Sequence, residues 1–496
     1  MKTKHMTNER FQLKPIAAAV LIGLSVTSAK AATNKGFQVD DPNNNPVADA
    51  GGKRIAMDAL GNTVVVWGTQ AYYDPNPSVV FRRYDAHGSS LSNAPTVASE
   101  MVDSGATPAP SVARNGDGPF VIVWYSGEDV LAQRFASDGT AIGTEIVVDD
   151  GTVDDSSQNP RVGIDGDGGF VVVWIAGGDT LLGRIFDADG NALTDELTLN
   201  DQPVDDSTLA DVGMDQDGNF AVTWLSGGQV YARRFDPSGT AVGAGARVDM
   251  TPDNDDDFDP DNLTVDYTLS DPVIAMDETG DFAIAWSLKQ LSTKRTTKHV
   301  KTCYNYYGTR YCYTNDVYYY QATAKSTIRF RRYDQATSSL SPAETQVVTA
   351  TSKSTSSQDG SDPFFKTETD YSAAAIAMDK DGDFAVAWVK SVTKSKQTCY
   401  TDDYGNKNCY PSSTTTSSSV QARRFKPTGR PGGAALTVAK STKAAPGNVA
   451  PSVALSQKVD VGVSWVEQVP YTYSYNGHTY TYGYTDTFWA RLYPKK

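Results

Sequence analysis

Four cysteines carry the most distinctive chemistry in the chain, and they fall in two close pairs, Cys303 with Cys312 and Cys399 with Cys409. In an oxidising compartment, close pairs of this kind form local disulfides. Zinc is the alternative, but the nearest histidine, His299, stands alone and the spacing is wide for a zinc knuckle. We therefore expect two disulfides.

Tyrosines crowd the same segments. Rigid tyrosines offer a large amphipathic contact area at low entropic cost, which suits them to stack on sugars or on the side chains of a protein partner. The alternative is structural, because exposed hairpins use Tyr for its β-propensity and disulfides for order. The candidate ligand-binding residues are Tyr304, Tyr306, Tyr307, Arg310, Tyr311, Tyr400, Tyr404, Tyr410, Tyr473, Tyr475 and Tyr480.

The cysteine and tyrosine segments have the symmetry of β-hairpins. A two-residue turn at Tyr307-Gly308 places Cys303 opposite Cys312 at the fourth cross-strand pair, a non-hydrogen-bonded pair close enough for a disulfide. The segment from Cys399 to Cys409 centres on Tyr404 and suits a three-residue turn with Gly405 in the left-handed conformation. A third hairpin follows around Asn476-Gly477 without cysteines.

Alternating acids suggest calcium as the one cofactor. Asp253, Asp255, Asp257 and Asp259 could surround a calcium ion, although Phe258 stands where a calcium loop usually has glycine. The alternative is a solvated acidic loop, or one neutralised by the basic run at residues 294–298. The Asp-x-Asp-Gly segments elsewhere are more typical of tight turns than of calcium sites.

No catalytic residue is predicted, and whether the chain is an enzyme stays open. The three histidines outside the leader, His87, His299 and His478, lie on scattered loops, and neither a nucleophile elbow nor a zinc-protease motif is present. Carboxylates that converge on the axis of a ring could still form a hydrolase or lyase acting on polysaccharides.

The first 31 residues resemble a Sec signal peptide. Basic residues precede an uncharged run that closes on Ala29-Lys30-Ala31. We expect a protein exported to the periplasm, the cell surface or the medium, without membrane insertion. Removing the leader moves the formal charge from -15 to about -19, which argues against a nucleic-acid partner.

A repeat organises the rest of the chain, residues 32–496. Each copy holds an inner strand, a tight turn, an alternating strand that ends in Trp, a third strand marked by Arg, and a fourth strand. We expect the arginines to stack on a neighbouring Trp or to tie down strand ends. In the third repeat Ile185 aligns with these arginines and Arg184 lies one place earlier. The Trp residues are Trp67, Trp124, Trp174, Trp224, Trp286, Trp388 and Trp465, and the arginines are Arg83, Arg134, Arg234, Arg332 and Arg424.

Seven such repeats predict an all-β fold, a seven-bladed β-propeller of four-stranded antiparallel blades. The last repeat stops at its third strand, and residues 36–40 occupy the place of a fourth strand, so the N-terminal strand should complete the last blade and remove its exposed edge. Tyr-rich insertions fall at about 288–325, 390–418 and 467–485.

The Trp and Arg-Phe-Asp-x-x-Gly pattern resembles the blades of bacterial secreted propellers and of repeats in large surface adhesins. The resemblance implies a surface or extracellular binding role and supplies no catalytic motif. We therefore expect a binding module for a glycan or protein, and the alternative is a structural component of an extracellular matrix or secretion system. Oligomeric state is not predicted.

Overall fold

The structure is a computed structural model, and the predicted signal peptide lies outside the residues it describes. None of the described residues belongs to a helix long and apolar enough to cross a membrane. The described residues are 36–40, 46–47, 53–69, 78–100, 109–116, 118–151, 158–205, 209–253, 264–354, 357–358, 364–401, 407–440, 451–456, 459–475 and 478–494.

The described strands form seven antiparallel sheets, the blades of a seven-bladed β-propeller, as predicted. Blade one contains Ile55–Met57, Thr63–Thr69, Ser78–Tyr84 and Thr96–Glu100, with Pro46–Val47 added beside the second strand. Blade two contains Ser111–Arg114, Phe120–Tyr125, Val130–Phe135 and Ala141–Val147. Blade three contains Gln158–Ile164, Phe170–Ala176, Thr180–Phe186 and Leu197–Thr198. Blade four contains Asp211–Met214, Phe220–Ser226, Gln229–Phe235 and Ala246–Arg247.

The later blades have longer strands. Blade five contains Thr264–Met276, Phe282–Tyr306, Thr309–Asp334 and Thr345–Lys353, and Ser339–Leu340 and Ser357–Gln358 also pair with its third strand. Blade six contains Thr367–Met378, Phe384–Thr401, Lys407–Phe425 and Leu436–Lys440. Blade seven contains Ser452–Ala454, Val459–Tyr475, His478–Pro494 and the N-terminal strand Phe37–Gln38.

The core lies between the blades, because each second strand is buried on both faces. Trp224 of blade four, for example, lies in one buried cluster with Val173 and Leu181 of blade three. The other repeat tryptophans likewise face the preceding blade, and all seven are at most 4% exposed. The Trp is therefore the packing element that joins each blade to the preceding one.

The ring closes as the sequence predicts. The inner strands contact one another in order from blade one to blade seven, and the inner strand of blade seven contacts that of blade one. Phe37 pairs with Ala490, and Val39 donates its N–H to the carbonyl of Phe488 at 2.8 Å. The N-terminal strand thus supplies the fourth strand of blade seven.

Arginines join the blades from two adjacent positions of the third strand. The first position reaches back to a carbonyl of the preceding blade's last strand; the bonds run from Arg82 to Val39, Arg184 to Val148, Arg233 to Leu199, Arg331 to Val248, Arg423 to Val347 and Arg491 to Val438. The second position reaches forward to the outer turn of the next blade; the bonds run from Arg83 to Ser137, Arg134 to Ala188 and Arg332 to Pro427.

These contacts refine the sequence prediction. Of the predicted arginines, Arg83, Arg134 and Arg332 bond to an outer turn of the next blade. Arg234 lies over the ring of Tyr333 at 4.5 Å, and not over a Trp. Arg184 occupies the first position, so it is no displaced copy of the second, which is Ile185 in that blade. The two roles are distinct because they face opposite neighbours.

Aspartates close the turns between inner and second strands. In five of the described blades one carboxylate oxygen accepts backbone N–H bonds from the residues two and four places later, as Asp379 does from Asp381 at 3.1 Å and Asp383 at 3.0 Å. The same pattern recurs at Asp58, Asp165, Asp215 and Asp277. These carboxylates have a structural task in the turn, and burial raises the pKa of Asp379.

Candidate functional site

The Tyr-rich segments are continuations of the blades rather than separate inserted hairpins. In blade five the second and third strands stay paired without interruption from Phe282↔Tyr333 to Tyr306↔Thr309, and the inner strand leaves them after Thr264↔Thr293. We define finger one as residues 294–321, finger two as residues 395–414 and finger three as residues 467–487. Fingers one and two are the parts of their ribbons beyond the inner strand, and finger three is the part of the blade-seven ribbon from the Glu467↔Thr487 pair outward.

Finger one turns at Tyr307 and Gly308, whose φ angles are 47° and 79°. Two successive positive φ angles define the type I′ turn that suits the twist of a hairpin. The register sets Cys303 opposite Cys312, and the two residues form a disulfide across a Cα–Cα distance of 4.0 Å. The predicted first disulfide is confirmed.

One side of finger one carries a row of tyrosines. Because side chains alternate along paired strands, Tyr304 and Tyr306 share a side with Tyr311 and Tyr313. The rings of Tyr304 and Tyr311 stack at 5.7 Å, and the ring of Tyr304 meets that of Tyr313 at 6.2 Å. Their exposed fractions are 53%, 59%, 47% and 48% in order of position, so each ring keeps about half its surface open. We call this the tyrosine side.

The sequence prediction named three of these tyrosines and missed Tyr313. The hairpin symmetry about Tyr307-Gly308 could have indicated it. Tyr313 pairs with Thr302, two residues before Tyr304, and therefore lies on the same side of the ribbon. Tyr307 lies at the tip, 91% exposed, with its ring edge-on to that of Tyr306 at 4.6 Å.

The opposite side of finger one carries the disulfide and cations. Arg310 lies here, across from Asn305, and so does Lys301, across from Thr314. Of the candidate residues in this finger, Arg310 is therefore the one that does not share the tyrosine side. We call this the disulfide side.

Nearer the base of finger one, cations cover aromatic rings. Arg295 lies over Tyr318 at 4.4 Å, and Lys298 lies over Tyr319 at 4.6 Å. His299 pairs with Asp316 at the same level. These contacts occupy the base and leave the tip tyrosines uncovered.

Finger two repeats the arrangement in its register. Tyr400 pairs with Asn408 and Tyr410 with Thr398, so both tyrosines hold register positions that alternate with those of Cys399 and Cys409. The side chain of Tyr410 lies outside the described ones. Tyr400 is half exposed. Cys399 is disulfide-bonded and lies opposite Cys409, whose side chain is outside the described ones. The three-residue turn predicted at Tyr404 and Gly405 also lies outside the described residues.

Finger three follows the same alternation in its backbone. Tyr473 pairs with Tyr480, and Tyr475 pairs with His478, so the three candidate tyrosines hold register positions on one side. Their side chains, like the turn at residues 476–477, lie outside the described part of the chain.

The predicted calcium site is described only at Asp253, since Asp255, Asp257 and Asp259 lie outside the described residues. Asp253 forms an ion pair with Arg247 at 2.8 Å and accepts a bond from Gln229 at 2.6 Å. The described residues hold no group of three or more His, Cys, Asp or Glu that could bind a metal ion.

An ion pair crosses the ring axis on the side of the fingers. Lys53, just before the inner strand of blade one, pairs with Asp211 of blade four at 3.1 Å, and Asp211 also accepts the N–H of Ile274 at 2.9 Å. The carboxylate is 3% exposed and is fully engaged in structure. Sequence reasoning missed this pair, because its partners belong to blades that are not neighbours.

No protein-family model matches the chain, and no curated protein matches it. Among solved structures, a Lactobacillus plantarum protein aligns with TM-score 0.32 and 12% identity over 62% of this chain and 89% of its own. A Penicillium chrysogenum α-L-arabinanase complexed with arabinobiose aligns with TM-score 0.30 and 12% identity over 51% and 82%. An Aleuria aurantia lectin in complex with Fucα1-6GlcNAc aligns with TM-score 0.30 and 8% identity over 62% and 97%. Structural similarities this weak support no statement about function, and the assignment of the fold rests on the strand order of the sheets.

Proposed function

We propose that this protein is an exported binding module that recognises a glycan through the tyrosine sides of its three fingers. The observation that carries the proposal is the segregation of half-exposed tyrosines to one side of finger one. The leader and the disulfide support export, since disulfides persist in oxidising compartments. A protein ligand is the alternative, because the same rings suit a protein surface.

β-Propensity does not account for the segregation. A residue chosen only to favour an exposed ribbon would serve equally on either side. At the tip of finger one, however, the tyrosine side holds Tyr304, Tyr306, Tyr311 and Tyr313, while the disulfide side holds Lys301, Asn305, Arg310 and Thr314. Two sides with such different chemistry indicate that the aromatic one has a task beyond holding the ribbon together.

The turn supports the same conclusion. Type I′ turns favour Asn, Asp or Gly where both central residues need positive φ, yet the first central position here is Tyr307 at φ 47°. A bulky side chain in this conformation costs about 1 kcal/mol or more. Contact between a ligand and the nearly fully exposed Tyr307 ring would compensate for this cost.

The disulfide prepares this surface for binding. A two-stranded ribbon is marginally stable by itself in water, and the tip of finger one projects beyond the strands that flank its base. The Cys303–Cys312 bond holds the two strands in register from the side opposite the tip tyrosines. The rings are thus ordered before binding, which reduces the entropic cost of complex formation.

A glycan-array screen of the purified mature protein tests the proposal. The key variant replaces residues 301–314 by Asn-Gly, which closes the ribbon on the Val300↔Asn315 pair and removes the tip without shifting the register. We expect a specific glycan signal from the wild type that this variant loses, with an unchanged thermal transition of the blades. A narrower variant, Tyr304→Ser with Tyr311→Ser, should lose most of the signal while the disulfide stays in place.

Two results would count against glycan recognition by the fingers. A glycan signal that survives removal of the tip would place binding elsewhere on the propeller. A blank array, together with a stable protein complex captured by cross-linking on intact cells, would favour a protein ligand or the structural or assembly role. Release of sugars from a polysaccharide panel would instead favour an enzyme.

A further inference from the structure

Finger one is basic on a protein that is otherwise acidic. Its residues 294–321 contain five Lys and Arg and a single carboxylate, Asp316, whereas the whole chain has a formal charge of -15. That one carboxylate already pairs with His299. The finger therefore presents a net positive surface.

The two tip cations on the disulfide side are free to meet a ligand. Lys301 and Arg310 are exposed, and neither has an ion-pair partner among the described residues. By contrast, Arg295 and Lys298 at the base are held over tyrosine rings. The disulfide lies in the row between Lys301 and Arg310 and keeps their spacing fixed.

Distance separates these cations from the acidic blades. Counted from the last pairing with the inner strand, Thr264↔Thr293, Lys301 lies roughly 25 Å and Arg310 roughly 40 Å out along the ribbon at about 3.3 Å per residue. Charges in physiological salt are screened over about 8 Å. The described residues of the acidic blades therefore contribute little to the potential at Lys301 and Arg310.

We propose that the disulfide side of finger one binds an acidic polysaccharide, with Lys301 and Arg310 contacting its carboxylate or sulfate groups. This surface is distinct from the tyrosine side, so it extends the proposed function instead of restating it. The guanidinium of Arg310 suits a planar carboxylate or a sulfate. A disulfide of this kind persists in an oxidising compartment, which fits an extracellular ligand.

Matched charged and neutral polymers test the inference directly. The probes are polygalacturonate with its methyl ester, and dextran sulfate with dextran, each pair at equal chain length. We expect the full-length mature protein to bind both acidic polymers and to bind each neutral form at least tenfold more weakly. Raising NaCl from 50 to 300 mM should weaken binding of the acidic polymers.

Variants separate the two sides of the finger. Lys301→Gln with Arg310→Gln should weaken polygalacturonate binding about tenfold or more, whereas Tyr304→Ser with Tyr311→Ser should leave it within about twofold. The matched control is Lys380→Gln with Lys440→Gln, which removes two exposed lysines off the fingers and should change nothing. Circular dichroism and the thermal transition verify that every variant is folded.

Four outcomes would overturn the inference. They are equal binding of charged and neutral polymers, no effect of the Lys301 and Arg310 substitutions, tighter binding of single-stranded DNA of matched charge, and salt-sensitive self-association that the same substitutions abolish. The last would mean that the finger meets the acidic body of a second copy. If glycan recognition by the tyrosine side fails while polygalacturonate binding holds, only the earlier proposal falls.

Discussion

Arg82 of blade one donates a hydrogen bond to the carbonyl of Val39 at 3.3 Å. Arg233 makes the same bond to Leu199 at 3.2 Å, across a junction between two consecutive blades. Val39 belongs to the N-terminal segment that completes blade seven. The junction between blades seven and one, which closes the ring, therefore uses the same contact as the junction between blades three and four. Six of the seven junctions have this bond; in blade two the position is Gln133, which donates to carbonyls of its own blade instead.

Arg82→Ala and Arg233→Ala should destabilise the protein by similar amounts, about 1 kcal/mol or more each, because each removes one partly buried charge-assisted bond across a blade junction together with bonds inside its own blade, from Arg82 to Ser90 and from Arg233 to Gly243. Chemical denaturation of both variants measures this. An Arg82→Ala variant as stable as the wild type, beside a weakened Arg233→Ala, would mean that residues 36–40 do not close the ring.

Gly139→Ala should cost more than Gly151→Ala. Both glycines have positive φ, +85° and +84°, so both substitutions carry a conformational cost of about 1 kcal/mol. A Cβ on Gly139 would also lie 2.7 Å from Nε of Arg83 and displace that arginine from Ser137, whereas a Cβ on Gly151 meets no atom within 4 Å. The loss of unfolding free energy should be about 1 kcal/mol greater for Gly139→Ala than for Gly151→Ala.

The glycine comparison has an internal control. In an Arg83→Ala background the excess cost at Gly139 should vanish, since the displaced group is gone. An unchanged excess would show that the arginine is not what the glycine accommodates.

Asp379→Asn should stabilise the protein at pH 7. Burial, and then the charge of Asp383, raise the pKa of Asp379. A raised pKa means that the ionised form is disfavoured in the folded state, so this residue's favourable contribution is complete only below the ordinary Asp pKa of about 4 and is lost as pH rises through the raised value. The gain from Asn should therefore shrink as pH falls towards 4.

Thermal unfolding at pH 4 and pH 7 checks this prediction. Asn115 already occupies the same turn position in blade two. Asp236→Asn is the opposite control, because hydrogen bonds from Ser238 and Thr240 lower the pKa of Asp236. It should lose stability at pH 7. Equal effects of the two substitutions would contradict the role of burial.

Tyr307→Asn should stabilise the tip of finger one and, in the same variant, weaken ligand binding. Asn suits the positive φ of the turn, and finger three has Asn476-Gly477 at this point. Hydrogen exchange over residues 301–314 should slow, while affinity for the array ligand should fall severalfold. Slower exchange with full affinity would show that the Tyr307 ring is not a contact.

Cys303→Ser with Cys312→Ser should loosen the tip without affecting the blades, because the bond staples only the ribbon beyond them. The thermal transition should stay within about 2 °C of the wild type. Chymotrypsin should cut after the tip tyrosines faster than in the wild type. A large drop in the transition would mean that the finger is coupled to the core.

The sequence was most informative where a pattern is local or repeated. The blade number follows from the repeated Trp strands, and the pairing of Cys303 with Cys312 follows from the symmetry about Tyr307-Gly308. The opposite roles of Arg82 and Arg83 could not be predicted, because they depend on which neighbouring blade each side chain meets. The Lys53–Asp211 pair could not be predicted either, since ring geometry alone brings blades one and four together.

The closing strand also has a consequence for the order of folding. Phe37 pairs with Ala490, near the far end of the chain, whereas each finger pairs residues that are close in sequence. Local hairpins close in microseconds, and contacts between distant segments form late because of their loop-closure entropy. The fingers can therefore form early, while the N-terminal strand stays unpaired until the last blade has formed.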